Sequence, residues 1–146
     1  MSDKDIPADL RRLVSDRAKH SCEYCRSQVR YSSDPFAVDH IKPRSLDGQT
    51  IADNLALSCL GCNQHKGRRV SVPDPITNSL EPLFHPRSNV WDEHFAWSDG
   101  FTMIIGLTPT GRATVAALHL NRRGLVNMRR VLQAIGEHPP NLNPEP

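Results

Sequence analysis

Residues 22–67 hold most of the information about the fold of this protein, and they read CEYCRSQVRYSSDPFAVDHIKPRSLDGQTIADNLALSCLGCNQHKG. Two cysteine pairs with the same C-x-x-C spacing lie in this stretch, Cys22 with Cys25 and Cys59 with Cys62. In reducing compartments, where disulfides do not persist, such pairs hold zinc through four thiolates. A redox-active pair is expected beside a βαβ pattern, which is absent, and iron–sulfur clusters normally use other spacings. The sequence therefore predicts a structural Zn²⁺ site.

The two cysteine pairs are separated by 33 residues, more than the roughly 15–20 of a compact four-cysteine finger. The interval contains Asp39-His40-Ile41-Lys42-Pro43 and then Asn54-Leu55, and the second pair continues as Cys62-Asn63-Gln64-His65-Lys66-Gly67. In order and spacing, these segments resemble the HNH endonucleases over about residues 22–67.

This resemblance implies an α+β fold: a small ββα-metal domain, of the HNH or His-Me finger type, stabilised by a four-cysteine zinc site and flanked by helices. Two antiparallel strands and a helix would hold one catalytic divalent cation, Mg²⁺ or Mn²⁺, separate from the structural zinc. By the same resemblance, Asp39 and Asn63 match ligands of that cation, and His40 matches the general base. Asn54 matches the residue that braces the loop and orients this histidine. Asn63 stands where many family members have histidine, and both residue types occur there.

Hydrolysis of a phosphodiester bond suits these residue types. A histidine with a pKa near neutrality can take a proton from water, and a hard cation neutralises charge on the phosphoryl oxygens. Such a cation prefers oxygen ligands, which Asp39 and Asn63 offer. Successive residues of a strand point to opposite faces, so an ideal flat strand could not direct both Asp39 and His40 to one site. We therefore expect a twist or bulge at the end of this strand.

Basic residues near the motif are candidates for nucleic-acid contacts. Arginine accounts for 14 of the 18 basic residues, and its planar guanidinium fits phosphate oxygens. The candidates lie after the predicted strand and after Asn63; they are Arg44, His65, Lys66, Arg68 and Arg69. His65 could contact a phosphate or act as an extra metal ligand, and a solvent-exposed histidine is an equal alternative. We expect nucleic acid as the partner, double-stranded DNA in particular, and the sequence leaves the oligomeric state open.

Apolar spacing and breaker residues give the other elements. A helix is predicted after Pro7, a strand at 35–41 and a short helix from Cys59 to about residue 69. Four prolines predict an irregular connection between residues 70 and 90. A strand is predicted at 101–107, a helix at about 111–119, and a last helix after residue 121.

Four regions follow from these elements: an N-terminal helix at 1–21, the HNH core with its zinc knuckles at 22–70, a C-terminal extension packed on the core at 71–138, and a disordered tail at 139–146. Trp91, Phe95 and Trp97 are expected to form a small aromatic core, with His85 and His94 packed against it. The remaining histidines that follow no motif are expected on the surface; they are His20, His119 and His138.

The 146 residues allow about one domain. Mean hydropathy is -0.49, no apolar run approaches the ~20 residues of a membrane span, and the polar N-terminus has no signal-peptide pattern. We therefore expect a soluble, cytoplasmic protein with no membrane partner. Two other function classes stay open. One is a non-catalytic zinc module that binds nucleic acid, and the other is a redox protein that uses its cysteine pairs.

Overall fold

A computed structural model of the protein describes residues 5–142, so residues 1–4 of the expected N-terminal region and 143–146 of the expected tail lie outside it. The first helix, α1, comprises Ala8–Arg17 and follows Pro7, whose fixed φ and missing N–H suit the start of a helix. The Arg17 guanidinium donates to the carbonyls of Ala52, at 2.7 Å, and Leu55, at 2.5 Å. These bonds fix the helix against the following hairpin.

The centre of the molecule consists of a hairpin and a helix in the order ββα. Strand β1 (Ala37–His40) pairs antiparallel with β2 (Leu55–Ser58), and α2 (Leu60–Lys66) follows directly. The Cys59 sulfur caps α2 by accepting from the Cys62 N–H at 3.4 Å. The helix ends at Gly67, whose φ of 56° lies in the region that favours glycine. The expected helix end near residue 69 is thus two to three residues too late.

Strand β2 is buried on both faces because it separates two apolar clusters. Leu55 and Leu57 pack with Val14 of α1 in the smaller cluster. Ala56 points the other way, into a larger cluster that contains Tyr24 and all four cysteines. Since side chains alternate along a strand, one short strand joins α1 to the core around the cysteines.

The sequence predicted an irregular connection after α2, and this prediction is wrong. The connection contains a second hairpin. Strand β3 (Ser71–Pro73) pairs antiparallel with β4 (Leu80–Pro82). Proline is tolerated because each strand of a two-stranded ribbon has an open edge that needs no N–H donor, and both prolines lie at strand ends. The four prolines limit strand length rather than prevent pairing.

The remaining chain forms a third hairpin and two longer helices; the elements are α3 (Trp91–His94), β5 (Phe95–Trp97), β6 (Ile104–Gly106), α4 (Pro109–Ala117) and α5 (Arg123–Ala134). The Thr108 side chain caps α4 by accepting from the Gly111 N–H at 3.0 Å. The strand expected at 101–107 is shorter because residues 99–101 form a 3₁₀ turn. None of the helices described is long and apolar enough to cross a membrane.

The aromatic core expected near residue 95 is present in the larger cluster. Trp91 and Phe95 are buried, and the Trp91 indole N–H donates to the Tyr24 carbonyl at 3.0 Å. The rings of Phe84 and His94 are 5.9 Å apart in an edge-to-face arrangement. The surface position expected for His138 is wrong: its ring is buried against Trp97, and Nε2 lies 2.8 Å from the Phe101 carbonyl.

Candidate active site and metal centre

The four cysteines converge on one point between the two knuckles. All are buried and free of disulfides, and their sulfur atoms lie within 4.8 Å of one another. The sulfurs of Cys25 and Cys59 are 3.6 Å apart. Four thiolates bound to zinc at about 2.3 Å in a tetrahedron have S···S distances of roughly 3.8 Å. The arrangement therefore fits a tetrahedral metal ion such as Zn²⁺.

Backbone hydrogen bonds in both knuckles also suit thiolates. The Cys25 N–H points to the Cys22 sulfur at 3.5 Å, as the Cys62 N–H does to Cys59 at 3.4 Å. Burial raises the pKa of Cys22, while hydrogen bonds from the other three thiols lower the pKa of Cys59. A divalent metal is the group that would hold all four sulfurs as thiolates.

The second candidate site is a cleft of about 530 Å³ between β1, the loop after it and α2. Its lining includes Asp39, His40 and Asn63, together with the exposed Arg44 and Arg68. The β1–β2 register is continuous from Ala37 opposite Ser58 to His40 opposite Leu55, so the expected bulge is absent.

Asp39 is held by two partners that the sequence did not reveal. Its carboxylate is 6% exposed; it accepts a hydrogen bond from the Tyr24 hydroxyl at 2.8 Å and forms an ion pair with the Lys66 ammonium at 3.2 Å. Burial raises the pKa of Asp39, and Lys66 and Tyr24 oppose that rise.

Lys66 is buried, with 1% exposure, rather than on the nucleic-acid surface where the sequence placed it. Besides Asp39, its ammonium donates to the carbonyls of His40, at 3.3 Å, and Ile41, at 3.1 Å. It therefore fixes the end of β1 against α2.

The imidazole of His40 is buried and contacts the loop between the two strands. Its Nε2 lies 2.9 Å from the Thr50 hydroxyl. Asn54 braces that loop: its side chain accepts from the Lys42 N–H at 2.8 Å and donates to the carbonyls of Lys42, at 3.0 Å, and Gln49, at 2.8 Å. The loop that positions Thr50 against the imidazole is thus held at both ends.

Asn63 lies on α2 with its side chain half-buried at the cleft. Within residues 5–142, no side chain or backbone group hydrogen-bonds to the side-chain amide of Asn63. Its oxygen is therefore available for a ligand that enters the cleft.

The other predicted contacts with nucleic acid are exposed. Arg44 lies 4.0 Å from Asp5 in a surface ion pair, and Arg69 donates to carbonyls of His65 and Ala117. The His65 ring packs against the His119 ring, with centroids 4.4 Å apart and the ring planes tilted by 41°. Partial desolvation and the positive charges of its neighbours lower the pKa of His65. Of these residues, Arg44 and Arg68 line the cleft, whereas His65 and Arg69 contact His119 and Ala117.

Tyr24 and Thr50 are the residues of this site that sequence reasoning missed. The sequence gives a weak signal for Tyr24, because this hydroxyl-bearing residue lies between Cys22 and Cys25, two candidate metal ligands. Thr50 offers none, because its contact with His40 depends on how the loop folds.

The hairpin, helix and cysteine cluster form a small α+β unit, as predicted, and the cluster could hold a metal ion. Comparison with protein families matches residues 22–69 to the family described as HNH endonuclease. The resemblance is confirmed for this third of the chain, which carries an HNH domain with four cysteines positioned to bind a metal ion. No curated protein and no solved structure matches the chain.

Proposed function

We propose that the protein is a metal-dependent endonuclease that hydrolyses phosphodiester bonds in DNA. The observation on which this rests is that a carboxylate, an imidazole and an amide line one cleft of the HNH domain, namely Asp39, His40 and Asn63. A zinc module that only binds nucleic acid does not need these three groups together.

The residues of the cleft fit a hard cation such as Mg²⁺ or Mn²⁺, because Asp39 and Asn63 both offer oxygen atoms. When bound there, the ion would neutralise charge on the phosphoryl oxygens and stabilise the leaving oxygen. Lys66 offsets the charge of Asp39, so the cleft itself has little net negative charge. We expect phosphate oxygens and water to provide the remaining ligands.

In this proposal His40 takes the proton from the attacking water. Thr50 orients the imidazole through Nε2, and Asn54 holds the backbone next to Thr50. A positioned general base contributes about 10²–10⁴-fold to rate, so this histidine is the residue on which turnover most depends.

The exposed basic residues beside the cleft support a nucleic-acid substrate. Arg44 and Arg68 line the cleft itself, and Arg69, the residue after Arg68, is also exposed. Contacts of this type bind the phosphate backbone and orient it without reading the bases. We therefore infer that the duplex backbone lies along this surface.

A plasmid assay on zinc-loaded protein tests the proposal. Supercoiled DNA is incubated with Mg²⁺, Mn²⁺ or EDTA, beside a structured RNA of similar length. We expect metal-dependent nicking or linearisation of the DNA, and a rate for His40→Asn that is lower by about 100-fold or more. The matched control is His20→Asn, because His20 is an exposed histidine whose φ of 55° asparagine also accepts.

Three outcomes decide the matter. Equal cleavage by His40→Asn and the wild type would remove His40 as the base. Cleavage of RNA alone would overturn the DNA assignment. If folded wild-type protein shifts the plasmid on a gel but never cuts it, the non-catalytic module is the correct function.

A further inference from the structure

The zinc site has a partner from outside the HNH domain. The guanidinium of Arg122, which immediately precedes α5, points at two of the four sulfurs. Its Nη2 lies 3.4 Å from the Cys59 sulfur, and its Nη1 lies 3.6 Å from that of Cys62. These are hydrogen-bond distances for sulfur, and they join residues about 60 positions apart.

The chain leaves room for this contact at one position of α2. A Cβ atom on Gly61 would lie 2.4 Å from Nη2 of Arg122. Any side chain at that position would displace the guanidinium from the sulfurs. The glycine between Cys59 and Cys62 therefore serves a packing contact with the C-terminal extension.

Charge explains why arginine belongs there. Four thiolates and one Zn²⁺ carry a net charge of −2, and a buried uncompensated charge is costly. The charged groups near the cluster are cationic: Arg122, the buried Arg129, whose Nη2 is 3.4 Å from the Cys25 carbonyl, and Arg26, which lies over the Trp91 ring. The Ser27 hydroxyl, a neutral group, also contacts the cluster, 3.1 Å from the Cys25 sulfur. Glu23, between the first two cysteines, is turned away into an ion pair with Arg87.

We propose that Arg122 is a positioning residue of the zinc site, and that its N–H···S bonds to Cys59 and Cys62 are needed for full zinc affinity. The C-terminal extension then completes a metal site whose ligands all lie in the HNH domain. This proposal rests on the zinc site and is independent of nuclease activity.

Zinc affinity of the full-length protein, measured by competition with a chromogenic chelator at neutral pH, tests the proposal. Loss of groups that support metal ligands typically costs about 10–100-fold in affinity, and we expect a loss in that range for Arg122→Leu. Arg122→Lys, which keeps the charge and one donor, should restore part of it. Arg123→Leu is the matched control, because this neighbouring arginine is exposed and contacts no sulfur.

Gly61→Ala provides a second, independent variant. Alanine favours the helix, so a loss of zinc affinity in this variant reports displacement of Arg122 rather than weaker folding. Co²⁺-substituted protein adds a spectroscopic signature: without N–H···S bonds, the sulfur-to-cobalt charge-transfer band moves to longer wavelength. Zinc affinities within twofold of wild type in folded Arg122→Leu and Gly61→Ala, with an unshifted band, would overturn the proposal. So would wild-type protein that binds no zinc.

Discussion

The ion pair between Asp39 and Lys66 is the most constrained contact of the cleft. Both side chains are buried, and the ammonium donates to two backbone carbonyls as well as to the carboxylate. A buried pair of this kind is costly to break from one side, because the remaining charge has no partner. Lys66 thus acts on the site by fixing Asp39 and the end of β1.

Replacing Lys66 with methionine is expected to destabilise the protein by about 3–5 kcal/mol, the usual cost of removing one partner of a buried pair. A second substitution, Asp39→Asn, added to the Lys66→Met variant should recover much of the lost stability. The amide oxygen still accepts a hydrogen bond from Tyr24 and leaves no unpaired buried charge. Urea unfolding at neutral pH measures both effects. Lys42→Met, at an exposed lysine, is the control. A loss below about 1 kcal/mol for Lys66→Met would mean that the pair behaves like a surface ion pair.

Three of the side chains that line the cleft belong to the motif in the sequence. Asp39, His40 and Asn63 occur within short segments whose spacing is characteristic. Their partners Tyr24 and Thr50 could not be predicted, because each contact joins segments that only the fold brings together. Lys66 lies in a basic run with Arg68 and Arg69, which favours contact with nucleic acid, whereas in the structure its ammonium is buried and paired with Asp39.

At the scale of elements, the second hairpin depends on one carboxylate. Asp74 lies in the turn between β3 and β4 and accepts hydrogen bonds from the Ile76 N–H and the Thr77 hydroxyl. The Arg112 guanidinium of α4 binds both of its oxygens, at 3.1 and 2.7 Å. Asp74 therefore closes the turn and attaches the hairpin to α4.

This arrangement predicts a dependence of stability on pH. Arg112 holds the pKa of Asp74 at about 2, below the value of about 3.9 in an unfolded chain. A carboxylate with a lowered pKa stabilises the fold fully above about pH 4, and that contribution is lost as the pH falls to about 2.

Asp74→Asn should therefore lower the Tm at neutral pH, and the difference from wild type should shrink between about pH 4 and pH 2. Thermal unfolding followed by circular dichroism across this range measures the effect. Asp99→Asn, at an exposed carboxylate, is the control and should leave the Tm nearly unchanged. A difference between Asp74→Asn and wild type that stays constant with pH would contradict the assigned role.

The order of elements near the motif was predictable, because helix α1, strand β1 and helix α2 have clear apolar spacing and end signals. The hairpin of β3 and β4 was not, because its strands have three residues each and contain prolines. Such short strands are specified by contacts with α4, including the Asp74–Arg112 pair, rather than by local propensity.

At the scale of the whole molecule, the four-cysteine cluster and the C-terminal extension share one core. The four cysteines belong to the same buried cluster as Trp91, Phe95 and Leu118. A metal ion at the cysteines would close the loop of 33 residues that contains Asp39, His40 and Asn54, which lowers the entropy of the unfolded chain. The metal is thus positioned to stabilise both the cleft and the extension.

Removing the metal is expected to unfold most of the chain. Structural zinc supplies an apparent ~10–16 kcal/mol in small domains, which matches or exceeds the ~5–15 kcal/mol of net stability of a typical protein. A strong chelator, or Cys59→Ser, should therefore abolish the near-ultraviolet circular dichroism of Trp91 and Trp97 as zinc is lost. Metal content by mass spectrometry and circular dichroism on the same sample measure this, and added Zn²⁺ should restore the chelated wild type. Metal-free protein with an intact tryptophan signal and an unchanged Tm would show that the apolar clusters alone hold the fold.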